Sequence, residues 1–334
     1  MTGIEPAYSA WEADVLPLNY IGVRGLLAND SLANPGPDDG DRPRRRGYPR
    51  DQARVGARCD TPPATHSCDR QTTTGRPLME YRNRTALITG ASGGIGEQFA
   101  RALAARGADL ILVARSEDKL VALADELASR HGVRAEVIPA DLSIPGAVDK
   151  VVADADGRGL RVDVLVNNAG FGTFGYLADA DPSRIRDEVQ LNVGALTDFT
   201  TVYIKRMAEA GTGAIVNIAS NAAFQPVPSM AVYAATKAYV LSLSEALWSE
   251  GKRKGVHVLA VCPGATDTEF FDVAGDGSAM KSRRTTEQVV DTAFKALEAG
   301  KPSVVDGLVN RIGAYGARLA PRRLVLAIAE RAVS

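Results

Sequence analysis

The chain has 334 residues, of which 45% are hydrophobic, so it is long enough for one large hydrophobic core or two small ones. Its formal net charge of −1 excludes a global electrostatic field that would attract nucleic acid or an anionic membrane. The three cysteines, Cys59, Cys68 and Cys262, are not closely spaced, which argues against a disulfide framework and against a zinc site.

The N-terminal segment, residues 1–79, differs in composition from the rest of the chain. It holds nine of the seventeen prolines, and residues 34–47 offer no apolar side chain for burial. Such a segment buries too little surface to offset the entropy of ordering. We interpret it as disordered, or as a non-native extension upstream of a start at Met79, with a targeting role as the third possibility. The chain shows neither a secretory signal nor the ~20 consecutive apolar residues of a bilayer span, so we expect a cytoplasmic protein.

From Thr85 onward, apolar β-rich runs alternate with helical patterns. Continuously apolar strands are typical of a sheet buried on both faces, and the alternation implies right-handed crossovers between parallel strands. The pattern therefore predicts an α/β fold: one Rossmann-like, doubly wound parallel sheet of about seven strands, spanning residues 80–334 with a C-terminal helical extension. The predicted strands are Thr85–Thr89, Asp109–Ala114, Arg134–Pro139, Val162–Val166, Gly213–Ala219, Val256–Cys262 and Ser303–Val305. The predicted helices cover about 94–106, 117–130, 146–156, 182–209, 232–252, 286–299 and 311–332.

A glycine-rich turn, Thr-Gly-Ala-Ser-Gly-Gly-Ile-Gly at positions 89–96, follows the first predicted strand. Glycine permits tight turns and the close approach of a pyrophosphate, and the next helix offers free N–H groups and the positive end of its dipole. The position between strand and helix favours phosphate binding over a purely structural turn. We expect the cofactor phosphates to contact Gly90, Ser92, Gly94, Ile95 and Gly96.

This turn resembles the T-G-x-x-x-G-x-G motif of the short-chain dehydrogenase/reductase family, with Gly90, Gly94 and Gly96 in the motif positions. The same segment also resembles the T-G-x-x-G-x-x-G of the extended members, such as nucleotide-sugar epimerases, with Gly93 in the middle position. Three other features resemble the smaller reductases instead. They are Asn-Asn-Ala-Gly at 167–170, Pro-Gly…Thr at 263–268, and a serine thirteen residues before a Tyr-x-x-x-Lys motif.

The end of the second predicted strand indicates which nicotinamide cofactor is used. An acidic residue there would accept hydrogen bonds from the ribose hydroxyls and repel a 2′-phosphate. The chain instead has Ala114, followed by Arg115 and Ser116. A guanidinium binds phosphate through paired, charge-assisted hydrogen bonds, so we expect NADP(H), although a solvent-exposed surface charge is the alternative for Arg115. The family resemblance implies further cofactor contacts from Asp141, Leu142, Asn168, Ala169, Gly170, Pro263, Gly264 and Thr268.

Tyr233 and Lys237 lie four residues apart and share one face of a predicted helix. A nearby ammonium, or an oxidised nicotinamide, favours the phenolate and is expected to move the phenol pKa toward the working pH. Ser220, at the end of the fifth predicted strand, can donate a hydrogen bond to a substrate oxygen as charge develops. The resemblance implies that Ser220, Tyr233 and Lys237 are catalytic. It implies that Asn192 bends its helix and holds a relay water, with a local packing role as the alternative.

The segment Glu269–Arg284 is expected to form a lid over the substrate. Its apolar residues, with those of the loops at the same sheet edge, predict an apolar ketone, aldehyde or β-ketoacyl substrate. The residues concerned are Phe171, Phe174, Tyr176, Phe224, Val227, Met230, Phe270, Phe271, Val273 and Met280.

The resemblance implies a homodimer or homotetramer that pairs through helices 182–209 and 232–252. The apolar, arginine-flanked stretch 320–331 could pack on a neighbour, line the substrate mouth or rest on a membrane, and we expect packing. No nucleic-acid partner, membrane span or metal is expected. The predicted activity is NADP(H)-dependent reduction of a carbonyl, or the reverse. A non-enzymatic NADP-binding regulator and an isomerase or lyase are the alternatives.

Overall fold

A seven-stranded parallel sheet organises residues 79–274 and 283–333, which are the residues that this computed structural model describes. The strand order is β3-β2-β1-β4-β5-β6-β7, so the winding direction reverses between β1 and β4, as expected for a doubly wound sheet. The predicted extension 1–79 lies outside the described residues except for Met79, as does part of the predicted lid. The strands are β1 Thr85–Thr89, β2 Asp109–Ala114, β3 Ala135–Pro139, β4 Val164–Asn167, β5 Gly213–Ile218, β6 Val256–Cys262 and β7 Ser303–Val305.

Helices cover both faces of the sheet. A π-helical segment, Gln190–Ala195, joins α4 to α5, and short 3₁₀ turns cover Leu177–Asp179 and Asn221–Phe224. Within the described residues, no helix combines the length and apolar character that a bilayer crossing requires. The α-helices are α1 Gly94–Ala104, α2 Glu117–His131, α3 Ala147–Gly157, α4 Pro182–Val189, α5 Leu196–Ala210, α6 Ala231–Lys252, α7 Phe270–Ala274, α8 Thr286–Glu298, α9 Leu308–Leu319 and α10 Arg322–Val333.

Two apolar layers sandwich the sheet. On one face, Ile88 of β1 belongs to a buried cluster with Phe99 of α1 and Phe294 of α8. On the other face, Leu87 of β1 belongs to a cluster that contains Phe199 of α5. Successive residues of one strand therefore point into different cores, which explains why the strands read as continuous apolar runs.

A chain of buried polar side chains crosses this apolar interior. Asn167 at the end of β4 donates to Asn217 of β5 at 2.9 Å and to Thr200 of α5 at 3.0 Å. Asn217 in turn donates to Ser244 of α6 at 2.9 Å, and Ser244 donates to the carbonyl oxygen of Val240. These bonds tie β4 and β5 to α6 at a defined position along the helix axis.

The structure corrects the prediction of one continuous helix over 182–209. The chain forms α4, then the π-helical segment, then α5. Asn192 lies inside that segment, and its side chain hydrogen-bonds to Phe171, outside the helix. Single π turns of this kind are frequent at functional sites.

The predicted C-terminal helix 311–332 is also wrong as a single element. α9 begins earlier, at Leu308, and ends at Leu319, after which Ala320 adopts an extended conformation and Pro321 precedes α10. Proline disfavours helical geometry in the residue before it and lacks an N–H for the helix ladder, so the break follows from Pro321. The remaining strands and helices are confirmed with their bounds shifted by a few residues, and α7 was not predicted.

Candidate active site

The residues predicted to act together follow the carboxyl ends of the central strands. The glycine turn follows β1, Asn168 follows β4, Ser220 follows β5 and Pro263 follows β6. Because these strands are parallel and the winding reverses between β1 and β4, their ends open onto one crevice, which is where ligands bind in such sheets.

The glycine turn is packed so closely that only glycine fits at two of its positions. Gly90 has a φ of +65°, and a Cβ there would lie 2.8 Å from the Nδ2 of Asn168. A Cβ on Gly96 would lie 2.5 Å from the same Nδ2 atom and would overlap the carbonyl oxygen of Gly90. Asn168 donates to the carbonyls of Thr89 and Gly90 at 3.0 and 3.2 Å, so the β4 end holds the turn in place.

The outer side of the same turn is open. A Cβ on Gly93 would meet no atom within 4 Å. Gly93 immediately precedes α1, so this open space adjoins the positive end of the α1 dipole. Such a cradle fits the pyrophosphate of a dinucleotide.

Arg115 and Asp141 follow the neighbouring strands β2 and β3. Partial burial raises the pKa of Asp141, but hydrogen bonds from Ser143 and the charge of Arg115 together hold it below its ordinary value. Asp141 accepts from the backbone N–H and the hydroxyl of Ser143, at 3.0 and 2.6 Å. It therefore stabilises a turn rather than capping α3, whose first residue is Ala147. Ser116 precedes α2 without a side-chain capping bond.

The segment after β6 joins the crevice through backbone and side-chain contacts. The carbonyl of Pro263 accepts from the N–H of Asn221 at 2.7 Å, next to Ser220. A Cβ on Gly94 would lie 3.0 Å from the Cγ2 of Thr268, so Thr268 closes over the start of α1. The predicted cofactor residues Gly94, at the start of α1, and Thr268, in the segment after β6, are thus neighbours.

Asn192 is almost fully buried and uses its amide to position two other parts of the site. Its Nδ2 donates to the carbonyl of Phe171 at 2.8 Å and to Thr236 Oγ1 at 3.1 Å. Its Oδ1 accepts from the N–H of Phe171 at 3.1 Å. The side chain therefore clamps the segment after β4 to α6.

Lys237 is buried beneath Tyr233. Its Nζ donates to the carbonyl of Ile218 at 2.8 Å and lies 5.7 Å from the centre of the Tyr233 ring. Burial lowers the pKa of Lys237 to about 8, despite opposing effects of Cys262 and Glu188. An amine with this pKa changes its charge near neutral pH and can both give and take a proton.

The Ser220 hydroxyl lies near enough to the Tyr233 phenol to lower its pKa, so the structure brings these two side chains together. The sequence analysis predicted that the pKa of the Tyr233 phenol is lowered. For the protein chain by itself this prediction is wrong, because the pKa is raised. Burial raises the pKa of Tyr233 to about 12, with the nearby Ser220 hydroxyl acting against this rise and the charge of Glu188 acting with it. The ring packs on Phe270 at a centroid distance of 5.2 Å, and such apolar surroundings disfavour the charged phenolate.

Glu188 was missed by the sequence analysis. It is fully buried, and burial raises its pKa. Its carboxyl faces Thr173 without forming a hydrogen bond of normal geometry, and its charge acts on Tyr233 and Lys237. The position four residues before Asn192, on the same face of a predicted helix, was the available clue.

The predicted apolar residues separate into groups. Met230 and Phe270 lie beside Tyr233, because a Cβ on Gly172 would lie about 3 Å from all three side chains. Phe224 instead packs against α9, and Tyr176 is exposed. The side chain of Phe271, and all of Met280, fall outside the described residues. In the described part of the chain, no group of three or more His, Cys, Asp or Glu side chains could hold a metal ion.

Lys237→Met should stabilise the fold most below pH 8. Burying Lys237 in its charged form lowers the free energy of unfolding at every pH below about 8. Between pH 8 and the ordinary lysine pKa, the folded protein can release the proton, so this destabilisation decreases as the pH rises. The variant's advantage in free energy of unfolding should therefore shrink above pH 8 by up to about 1.4 kcal/mol per pH unit. Urea titrations from pH 7 to pH 9 measure this. Lys150→Met, on an exposed position of α3, controls for loss of a surface lysine, and a pH-independent advantage for Lys237→Met would contradict the assignment.

The comparisons with known proteins agree with this geometry. The family model for short chain dehydrogenase matches residues 84–279, more than half of the chain. A solved short-chain dehydrogenase from Sphingobium yanoikuyae, in complex with NADPH, is 38% identical with a TM-score of 0.65, over 71% of this chain and 94% of that one. The bulky-bulky ketone specific alcohol dehydrogenase from Comamonas testosteroni is 33% identical with a TM-score of 0.62, over 71% and 92%.

Among curated relatives, the very-long-chain 3-oxoacyl-CoA reductase of Rattus norvegicus is 35% identical over 183 residues. That alignment covers 53% of this chain and 58% of the rat protein. Residues 84–279, which the family model matches, contain the glycine turn, Asn168, Ser220, Tyr233 and Lys237. The chain therefore belongs to the short-chain dehydrogenase family and is a carbonyl/alcohol oxidoreductase.

Proposed function

We propose that the protein reduces the carbonyl group of an apolar ketone, aldehyde or β-ketoacyl compound to an alcohol, or catalyses the reverse, with NADP(H) as cofactor. The observation that carries this proposal is the convergence of the Ser220 hydroxyl, the Tyr233 phenol and the buried Lys237 amine at the strand ends that also carry the glycine turn. The apolar contacts of Tyr233 with Phe270 and Met230 support an apolar substrate. The described ketone and 3-oxoacyl activities of the similar proteins are consistent with it.

The cofactor would lie across the ends of the central strands. The cradle of the glycine turn and the positive end of α1 would hold its pyrophosphate, and Arg115 would hold the 2′-phosphate. When bound, the reduced nicotinamide supplies a hydride. The residues proposed to contact the cofactor are Gly90, Ser92, Gly94, Ile95, Gly96, Arg115, Ser116, Asp141, Leu142, Asn168, Ala169, Gly170, Tyr233, Lys237, Pro263, Gly264 and Thr268.

The protein's own groups handle the proton. Tyr233 donates its phenolic proton to the substrate oxygen, while the Ser220 hydroxyl hydrogen-bonds to that oxygen and stabilises its developing charge. Lys237 then returns a proton toward the phenolate, which its pKa of about 8 permits near neutral pH. Asn192 supports this resupply by fixing Phe171 and Thr236 around the buried amine.

A substrate screen tests this proposal. The full chain is incubated with NADPH and with ketones, aldehydes or β-ketoacyl thioesters, and the absorbance of the reduced nicotinamide is followed. We expect NADPH to be consumed in step with alcohol formation. Product formation without any net change in absorbance would identify an isomerase or lyase. Cofactor binding without turnover of any carbonyl, together with an unchanged cellular role of Tyr233→Phe, would identify a regulator.

Arg115→Asp should reverse the cofactor preference. The substitution removes a charge-assisted hydrogen bond to the 2′-phosphate and introduces a repelling carboxylate. We expect kcat/KM with NADPH to fall by roughly tenfold to a hundredfold, while kcat/KM with NADH holds or rises. Arg130→Asp, on an exposed position of α2, is the control for loss of a surface arginine. An unchanged ratio of the two kcat/KM values in Arg115→Asp would overturn the assignment of Arg115.

A further inference from the structure

The two C-terminal helices expose an unusual concentration of apolar side chains. Of the fifteen large hydrophobic side chains exposed in the described part of the chain, eight lie between residues 308 and 328. We define the C-terminal apolar surface by the most exposed of them on each helix. It consists of Leu308, Val309, Ile312 and Leu319 of α9 with Leu324 and Ile328 of α10.

The exposed residues of α9 form one stripe. Leu308, Ile312, Tyr315 and Leu319 recur at intervals of three or four residues, which places them on a single helix face. Ala314, between them in sequence, is only 2% exposed and packs against the body of the protein. The stripe therefore lies away from the buried face of α9, with Tyr315 at the edge that contacts Phe224. Val325 and Ala329 of α10 are buried within the chain, and the packing on a neighbour expected for this extension stays a prediction.

The charge around the stripe is strongly positive. The two helices carry five arginines and a single acidic residue, Glu330, although the whole chain has a net charge of −1. Arg311 and Arg318 lie seven residues apart and line one edge of the stripe. Arg322 and Arg323 sit at the junction of the helices. An apolar face flanked by arginines is the pattern of helices that lie in a membrane interface.

The positive charge also indicates what binds to the C-terminal apolar surface. A second copy docked symmetrically on this face would bring arginine-rich surfaces together, and like charges oppose such contacts. A membrane span is excluded by length, because α9 and α10 have 12 residues each and are separated by an extended Ala320, whereas a span needs ~20 residues. An anionic bilayer surface neutralises the arginines and buries the apolar stripe together.

The α9 stripe lies close to the candidate active site. The turn Asn221–Phe224 follows Ser220 directly, and Phe224 packs edge-to-face on Tyr315 with ring centroids 6.1 Å apart. The guanidinium of Arg318 lies 4.8 Å from the centre of the Phe224 ring. Contact between this surface and a bilayer would thus place Ser220 near the lipid phase.

We propose that the C-terminal apolar surface binds the surface of bilayers that contain anionic phospholipids. The apolar stripe inserts at the headgroup boundary, and the arginines contact lipid phosphates. This association does not depend on the proposed reaction.

Vesicle flotation of the full chain tests the proposal. We expect binding to vesicles of phosphatidylcholine mixed with phosphatidylglycerol, weak binding to phosphatidylcholine alone, and release by salt. Replacing Arg311 and Arg322 with Ser should weaken binding by roughly fivefold for each arginine. Ile312→Ser with Leu319→Ser should abolish it. Val121→Ser with Ile144→Ser, two exposed apolar residues elsewhere, should leave it unchanged.

Other outcomes would overturn the proposal. These are absence of binding to either vesicle type, or binding that both C-terminal variant pairs retain. If Ile312→Ser with Leu319→Ser instead converts an oligomer to a monomer, the surface joins copies of the chain. Reduction of a water-dissolved carbonyl should be unaffected in this variant, so failure of membrane binding and failure of the proposed reaction are separately visible.

Discussion

Tyr233→Phe is expected to lower kcat for carbonyl reduction by about a hundredfold to ten-thousandfold, the range attributed to a positioned acid–base group. The substitution removes the proton donor but keeps the ring that packs on Phe270. Affinity for NADPH and the thermal midpoint should therefore change little. Steady-state kinetics, fluorescence titration of NADPH and thermal unfolding measure the three quantities.

The same helix offers a matched control for this prediction. Tyr239 lies six residues further along α6, is 40% exposed, and shares a hydrogen bond with Thr197 at 3.0 Å. Tyr239→Phe removes an identical hydroxyl away from the crevice and should leave kcat unchanged. If Tyr233→Phe kept more than a tenth of the kcat of the unsubstituted protein, the role of Tyr233 as proton donor would be refuted.

Gly96→Ala is expected to destabilise the fold and to abolish NADPH binding. The new Cβ would overlap the carbonyl oxygen of Gly90 and lie 2.5 Å from Asn168 Nδ2. The neighbours cannot yield easily, because Gly90 is held at positive φ and Asn168 is bonded to the turn. Overpacking of this kind costs about 1–3 kcal/mol of unfolding free energy. Urea denaturation and calorimetric titration of NADPH measure the two effects.

Gly93→Ala is the control for the glycine turn. Gly93 has an extended backbone with a φ of 178°, and a Cβ there meets nothing within 4 Å. The free energy of unfolding of the Gly93→Ala variant should therefore match that of the unsubstituted protein. Equal stability of the Gly93 and Gly96 variants would mean that the turn does not have the tight packing described above.

Much of the site could be predicted because it depends on short-range patterns. The continuously apolar runs predicted a parallel sheet buried on both faces. The end of the fifth run placed Ser220 at the sheet edge, and the spacing of four residues placed Tyr233 and Lys237 on one face of the next helix. The break at Pro321 was equally visible in the sequence and should have divided the last predicted helix.

The predictions from the sequence were wrong or incomplete where contacts between distant segments determine the local structure or the pKa of a side chain. The π-helical segment depends on the bonds of Asn192 to Phe171, a contact across 21 residues that helical periodicity does not register. The direction of the Tyr233 pKa shift depends on burial, to which residues distant in sequence such as Phe270 contribute. Burial of Glu188 likewise emerges only when α4 packs on its neighbours.

The buried polar chain from Asn167 through Asn217 to Ser244 has a consequence for engineering. Apolar side chains of similar volume at these positions would pack well and raise the melting temperature in many proteins. Here, however, the amide bonds are directional and fix how far α6 can slide along β5, so they hold Tyr233 of α6 near Ser220, which follows the end of β5. Selection for heat resistance alone would thus tend to replace these hydrogen-bonding residues, and the position of the Tyr233 phenol relative to Ser220 would no longer be fixed.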